Sequence, residues 1–377
     1  MGRLTEKISP FIVMDILKEA RDMPQAVHME VGEPDLPPPE PVIEAYIKAL
    51  KEKHFYYTPA KGLPALRERV SEYYQRTYGI DVSPERIIIT PGTSGAFLVV
   101  MALLSEPQRT ILLQDPSYPC YKNFAYFLER QPLMVPAGKD RGYKLQVDDL
   151  KRHATGVSMV LVSSPSNPTG LVYDREDLEA LVQECDRLGL WFVSDEIYHG
   201  LDYEDKATTA LSFSDRVIVI NGFSKYFCMP GFRLGWMILP EELVRKAEII
   251  VQNIFIAANT PAQFAALEAF DYNYLRKVKD TFRQRRDYLY SALKDLLQID
   301  VMPEGAFYIW ADISRYGLSS MDFCRRLLKE KAVAITPGVD FGQNQTDRYV
   351  RFAYTRQIEE LKEGVRRLKE FLESLGV

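Results

Sequence analysis

Cysteine is scarce. The 377 residues hold four, Cys120, Cys185, Cys228 and Cys324, and no two stand at a metal-ligand spacing. No metal site is expected, and scattered single thiols suit a reducing compartment better than a disulfide framework. Long hydrophobic runs are missing too. Phe11-Ile12-Val13-Met14 is apolar, but Asp15, Lys18 and Glu19 end it well short of a signal core. No other stretch approaches the roughly 18 uninterrupted apolar residues of a membrane helix, so a cytoplasmic protein is expected. Nor is there an excess of positive charge. Lys and Arg number 47 against 52 Asp and Glu, a net charge of −5, which offers no general attraction to nucleic acid or an anionic membrane. Repeats and low-complexity segments are absent, and the nearest thing to a linker is Pro37-Pro38-Pro39 with Pro41. What remains is an ordinary globular composition, 46% hydrophobic and 26% charged. The length suits two domains, or one large domain with an annexe.

Between about residues 85 and 240, short apolar runs alternate with amphipathic stretches. The runs are Arg86–Thr90, Thr110–Gln114, Ser158–Val162, Leu190–Ser194, Val217–Asn221 and Gly235–Leu239. They are β-branched with little polar alternation, which predicts strands of a parallel sheet buried on both faces. Between them, Arg175–Leu188 puts Leu178, Leu181, Val182, Cys185 and Leu188 on one helical stripe. The expectation is an α/β domain with a mostly parallel sheet flanked by helices, its ligands at the carboxyl ends of the strands. After residue 240 the pattern changes. Tyr272–Leu297 reads as one long helix, whose cationic residues (Arg276, Lys277, Lys279, Arg283, Arg285, Arg286) form a solvated face. Strands near Ala306–Trp310 and Tyr349–Ala353 and a closing helix from Gln357 complete a smaller α+β domain. The expected division is 1–44 as an N-terminal segment packing on the small domain, 45–274 as the large domain and 275–377 as the small one.

Four motifs fall where the predicted strands end. Ser224-Lys225 with Gly231-Phe232-Arg233 offers a lysine that burial or nearby cations could make nucleophilic, and Pro230 and Gly231 would fold Arg233 back toward the same ligand. Asp195, just past a strand, could hold a pyridine nitrogen protonated, with Tyr198 supplying a hydroxyl. Asn167-Pro168-Thr169-Gly170 is turn chemistry that could present the Asn167 amide to a ligand oxygen. Thr90-Pro91-Gly92-Thr93-Ser94-Gly95 joins a strand to an apolar helix and frees backbone N–H groups for a phosphate.

In their order and spacing these motifs resemble the class I/II aminotransferases, enzymes of pyridoxal-phosphate (PLP) fold type I. The likeness runs nearly end to end. It adds Val31-Gly32-Glu33-Pro34-Asp35, Tyr57-Thr58-Pro59, Pro303-Glu304-Gly305-Ala306-Phe307-Tyr308, Thr336-Pro337-Gly338 and Arg351-Phe352-Ala353-Tyr354. The resemblance implies that Lys225 holds PLP as an imine and shuttles the proton, and that Asp195 partners the pyridine nitrogen. Asn167 and Tyr198 would partner the ring hydroxyl, and Tyr118 would stack on the ring. Thr93, Ser94, Ser224 and Arg233 would bind the phosphate. Arg351 would grip the substrate carboxylate through its fork, with the Gly32 backbone and Asn167 close by. It further implies a homodimer with shared active sites, in which Tyr57 reaches the partner's cofactor phosphate. The substrates would be an L-amino acid and a 2-oxo acid.

Three departures stand out. Gly222 replaces a serine common in such enzymes, so one phosphate hydroxyl is missing. Cys228 stands where a smaller residue is usual, with no loss of function expected. Ser94 stands where some aspartate-specific members carry a lysine. Two other readings share these residues. One is a PLP-dependent carbon–sulfur lyase; the other is a PLP-binding regulator, for which no DNA-binding extension is seen before residue 11.

Overall fold

The computed structural model describes residues 6–106 and 109–376; residues 1–5 of the expected N-terminal segment lie outside the described residues. Among the described residues there are twelve strands, β1 (Val27–His28), β2 (Ile87–Pro91), β3 (Thr110–Asp115), β4 (Gln131–Pro136), β5 (Val157–Ser163), β6 (Trp191–Asp195), β7 (Ile218–Gly222), β8 (Leu234–Ile238), β9 (Tyr308–Asp312), β10 (Val333–Ala334), β11 (Thr336–Pro337) and β12 (Tyr349–Ala353). Seven of them form the central sheet, in the order β2-β8-β7-β6-β5-β3-β4. Strands β3 to β7 are mutually parallel, while β8 runs antiparallel to both β7 and β2. The sheet is therefore mostly parallel, as the apolar runs predict.

The six predicted runs match strands to within one residue at either end, with two corrections. Gly235–Leu239 belongs to an antiparallel strand. That reversal matters, because the N-terminal end of β8 then lies at the same rim as the carboxyl ends of its neighbours and brings Arg233 there. The second correction is β4, which is absent from the apolar runs. It sits at the sheet edge, is only partly buried, and carries Pro132 and Pro136, as suits an edge strand and breaks a hydrophobic pattern.

Helices cover the sheet. Gly92–Leu104 is apolar all round because β2 and β8 bury one side and the helices Glu241–Ile254 and Cys120–Phe127 the other. Arg175–Leu188 forms as predicted and stops at Gly189, whose φ of 70° suits only a residue without Cβ strain.

The C-terminal region holds a three-stranded antiparallel sheet, β11-β12-β9, and β1 pairs in parallel with β10. The long helix spans Tyr272–Leu293, four residues less than predicted. Its start is capped by the Asp271 carboxylate, which accepts from Asn273 N and Tyr274 N. Beyond it, Gln298 bridges to Asp312, which draws the chain off the helical path. Its cationic face is only partly solvated. Arg285 and Arg286 are buried; Arg285 forks onto Asp35 at 2.6 and 2.9 Å, and Arg286 holds Glu204 and the Pro303 carbonyl. Paired in this way, a guanidinium can sit on the buried seam. The strand predicted at Ala306–Trp310 begins two residues later, since Ala306 takes a φ of 57° in a turn. All four cysteines are unpaired. Among the described residues no helix is long and apolar enough to cross a membrane.

Candidate active site

At the carboxyl rim of the sheet lies a cavity of about 210 Å³. Gly32, Thr93, Tyr118, Asn167, Asp195, Tyr198, Lys225 and Arg351 line it, eight of the twelve residues singled out from the sequence. Each comes from a strand end or the loop beyond it, except Thr93, in the first turn of the helix that follows β2, and Arg351, in the middle of β12 opposite Trp310 of β9.

Lys225 is half-buried, three residues past β7, and its Nζ donates to the Gly32 carbonyl at 2.6 Å. Burial brings its ammonium down to about 8; Glu33 works against that shift, while Arg351 and Arg233 add to it. A free amine is thus far more accessible near neutrality than on a surface lysine. Asp195, the last residue of β6, is buried, which raises its carboxyl to about 6. Hydrogen bonds from the Tyr121 hydroxyl to Oδ2 and from Ile197 N to Oδ1 (3.1 Å) oppose the rise. The site therefore holds a carboxylate that is costly to ionise in isolation and well suited to a cationic partner.

Arg351 is buried and committed on two of its three nitrogens. Nη1 donates to Asn167 Oδ1 at 2.9 Å, and Nη2 to the Glu30 carbonyl at 2.5 Å and Thr336 Oγ1 at 3.3 Å. Its Nε has no partner. Tyr308 and Phe341 rings pack on the guanidinium at 4.2 and 4.7 Å. A buried arginine with an orphaned donor on a cavity wall is a receptor for an anion such as a carboxylate. Asn167, its oxygen given to Arg351, has only its NH₂ left to donate to a ligand.

The phosphate candidates form a second cluster. Gly92 (φ 67°) opens the helix that carries Thr93 and Ser94, and a Cβ there would lie 2.7 Å from Arg233 Nη2. A Cβ on Gly235 would lie 2.8 Å from Thr93 N. Two glycines thus let the Arg233 guanidinium and strand β8 close on the helix N-terminus, an anion-favouring cradle. Arg233 and Ser94 belong to this cradle, Ser224 lies two residues past β7, and none of the three lines the cavity itself. At Gly222 a Cβ would lie 3.0 Å from Gly235 Cα and 3.2 Å from Thr93 Cγ2, so a serine would need the neighbours to yield. The missing hydroxyl has a steric cause here. Cys228 is buried at a φ of 56°. Tyr57 lies apart from the cavity and is 78% exposed.

Sequence reasoning did not single out several wall residues. Tyr308 lies within a quoted motif; its hydroxyl meets Tyr198 at 2.8 Å and occupies the space a Cβ on Gly32 would need. Gly32 is thus small because Tyr308 packs on it. Tyr121, which holds Asp195, repeats the aromatic of Tyr118 one helical turn on, a spacing that offered a weak signal. Phe11, Val13 and Met14 arrive from the N-terminal segment, and no local pattern could have placed them here. Fit to PLP rests on the set as a whole: an amine, a buried carboxylate, an aromatic wall and an anion cradle on one rim.

Comparison with known proteins agrees with this chemistry. The family model for aminotransferase class I and II matches residues 24–368. The chain is 38% identical to a (5-formylfuran-3-yl)methyl phosphate transaminase of Methanocaldococcus jannaschii, with 96% of each covered. It is 32% identical to a valine–pyruvate aminotransferase of Mycobacterium tuberculosis, with 97% of each covered. Among solved structures, an aminotransferase from Mycobacterium tuberculosis superposes with a TM-score of 0.95 at 32% identity over 99% of both chains.

Proposed function

The chain belongs to the class I and II aminotransferases, PLP-dependent enzymes that move amino groups, and on that premise we propose how its own residues divide the work. An amino group passes from an L-amino acid to the cofactor site and then to a 2-oxo acid, with both half-reactions at Lys225. The observation that carries this reading is the convergence of Lys225, Asp195 and Arg351 on one cavity. The lyase and regulator alternatives are not favoured by the relatives named above.

When bound, PLP supplies a ring that accepts the electrons released as the α-carbon loses its proton. Lys225 would hold the cofactor, and its Nζ would serve as the base that carries the α-proton. Its lowered pKa suits that exchange near neutral pH. Asp195, when ionised, would partner the ring nitrogen and favour its protonated form. Asn167 and Tyr198 would hold the ring hydroxyl, and Tyr118 would offer an aromatic surface to the ring. Thr93, Ser94, Ser224 and Arg233 would hold the phosphate. Arg351 takes the substrate carboxylate on its free edge, and Gly32 lets Tyr308 sit close beside it.

The proposal extends to a cytoplasmic homodimer whose sites are shared, and to the division at residues 44 and 274. What supports sharing is the run Phe55-Tyr56-Tyr57, exposed at 53%, 72% and 78%; three adjacent exposed aromatics are costly unless another surface covers them. Borohydride reduction of the PLP-loaded protein tests the core of the reading. Cofactor should become fixed to the peptide bearing Lys225 and not to Lys225→Ala, which should bind PLP but not turn over. Label on another lysine would overturn the assignment.

A further inference from the structure

Two tyrosine hydroxyls meet in the cavity wall and hold one proton more than the bond between them can use. Tyr198 and Tyr308 are 4% and 2% exposed, and their oxygens lie 2.8 Å apart. Among the described residues, each hydroxyl has the other as its one hydrogen-bond partner. Burial raises the pKa of both, against the pull of Arg351 on each, so both stay protonated. A hydroxyl carries a single proton. One proton therefore makes the Tyr198–Tyr308 bond, and the other is left without an acceptor. A buried O–H of that kind is costly unless a ligand oxygen completes it.

Packing decides which tyrosine keeps the spare proton. Tyr198 lies in the loop after β6 and Tyr308 opens β9, and the two segments are laced together. Tyr203 N donates to the Glu304 carbonyl at 2.7 Å, Ala306 N donates to the Leu201 carbonyl at 2.8 Å, and Asp202 bridges to Gly305. On its strand Tyr308 shares a face with Trp310, the cross-strand partner of Arg351. Its ring carries the Arg351 guanidinium at 4.2 Å, and its oxygen is packed against Gly32, where a Cβ would collide with it. The Gly32 carbonyl in turn accepts from Lys225 Nζ at 2.6 Å. Tyr308 is thus wedged between Gly32 and Arg351, and the spare proton stays with Tyr198.

We propose that Tyr308 is a positioning residue with two duties. Its hydroxyl donates to the Tyr198 oxygen and so turns the Tyr198 proton toward the cofactor's ring oxygen, while its ring seats Arg351 for the substrate carboxylate. The inference rests on the transaminase reading and on Tyr198 meeting that ring oxygen. A hydrogen bond from Tyr198 draws electron density from the ring oxygen, which loosens the proton on the Lys225 nitrogen once that nitrogen is joined to PLP. Weakening the bond has the opposite sign. The proton is then held more tightly, and its titration moves to higher pH.

The visible absorbance of the PLP-loaded full chain is titrated against pH for wild type, Tyr308→Phe, Tyr198→Phe and the double variant. Tyr198→Phe should raise the midpoint by about one to two units. Tyr308→Phe, which keeps the ring and removes one oxygen, should raise it by about half a unit to one unit. The double variant should match Tyr198→Phe to within about 0.2 unit, because Tyr308 acts through Tyr198. Asp195, Glu33, Arg233 and Arg351, and any group that a partner chain supplies, are common to all four proteins and cancel in the comparison. Steady-state kinetics reads the second duty. KM for an amino acid should stay within about twofold in Tyr308→Phe and rise at least about threefold in Tyr308→Leu, which lacks the aromatic face. No upward shift in Tyr308→Phe, a shift larger than that of Tyr198→Phe, or additive shifts in the double variant would overturn the role of the hydroxyl. An unchanged KM in Tyr308→Leu would overturn that of the ring. If Tyr198→Phe leaves the midpoint in place, the assignment of Tyr198 fails and this inference fails with it. A protein that takes up no PLP would overturn the enzyme reading itself, a distinguishable result.

Discussion

Replacing Tyr121 by phenylalanine probes how the fold keeps Asp195 ionised. The ring contacts with Phe97 (5.1 Å) and Tyr118 (5.3 Å) survive the change, so the lesion is confined to one hydroxyl. That hydroxyl donates to Oδ2 of a buried carboxylate, and a hydrogen bond to a charged group is worth about 1.5–3 kcal/mol. At about 1.36 kcal/mol per unit, the carboxyl should rise by roughly one to two units. It would then titrate between about 7 and 8, against about 6 in the native protein. A carboxylate whose pKa is raised is lost as pH falls through the new value, so the variant loses its charge in a window where wild type keeps it. If PLP binding needs the ionised form, the variant's affinity at pH 7 should be weaker by about two- to tenfold. The gap should widen toward pH 6 and close by about pH 9. Titration of apoprotein with PLP, followed by absorbance at several pH values, reads this directly. The ratio of variant to wild type cancels the titration of Lys225, which is common to both. Superimposable pH profiles would refute the idea that Tyr121 sets the charge on Asp195.

Asp195→Ala should cost at least about 10²-fold in turnover, roughly 2.7 kcal/mol of barrier, and a loss within threefold would rule out its role at the ring nitrogen. Arg351→Lys keeps the charge but not the fork, so KM for the amino acid should rise much more than the dissociation constant of PLP; equal losses would indicate a structural arginine. Mixed dimers of Lys225→Ala and Tyr57→Ala, made by unfolding and refolding the two together, should regain activity well above either parent, because one site per heterodimer is intact. Verified heterodimers no more active than Tyr57→Ala would place that tyrosine in its own chain's affairs.

The strands were legible because burial on both faces leaves a local trace, an uninterrupted β-branched run such as Ile87-Ile88-Ile89. The positions of Lys225, Asp195 and Asn167 could be placed for the same reason, since each follows such a run within a few residues, but their roles came from the ordered set of motifs that resembles the aminotransferases. What escaped depends on the chain returning from afar. The N-terminal segment at Ile12 and Val13 is held by the Asp340 carboxylate across more than three hundred residues, and neither partner leaves a periodic signal. Arg285 and Arg286 looked like solvent-facing charge because their partners, Asp35 and Glu204, come from other segments. Strand β4 was hidden because an edge strand is exposed enough to tolerate Pro132 and Pro136. Tyr121 was hidden in plain view. Its helix reads as amphipathic, and only the tertiary structure turns its hydroxyl toward Asp195.

A single-turnover half-reaction tests the central claim most directly. The PLP-loaded protein is mixed with an L-amino acid in the absence of any 2-oxo acid, and absorbance, released oxo acid and ammonia are followed together. One oxo acid per site should appear, with the cofactor left as pyridoxamine phosphate and no free ammonia; adding a 2-oxo acid should then restore the starting spectrum. Release of ammonia with the cofactor spectrum unchanged would contradict amino-group transfer at Lys225.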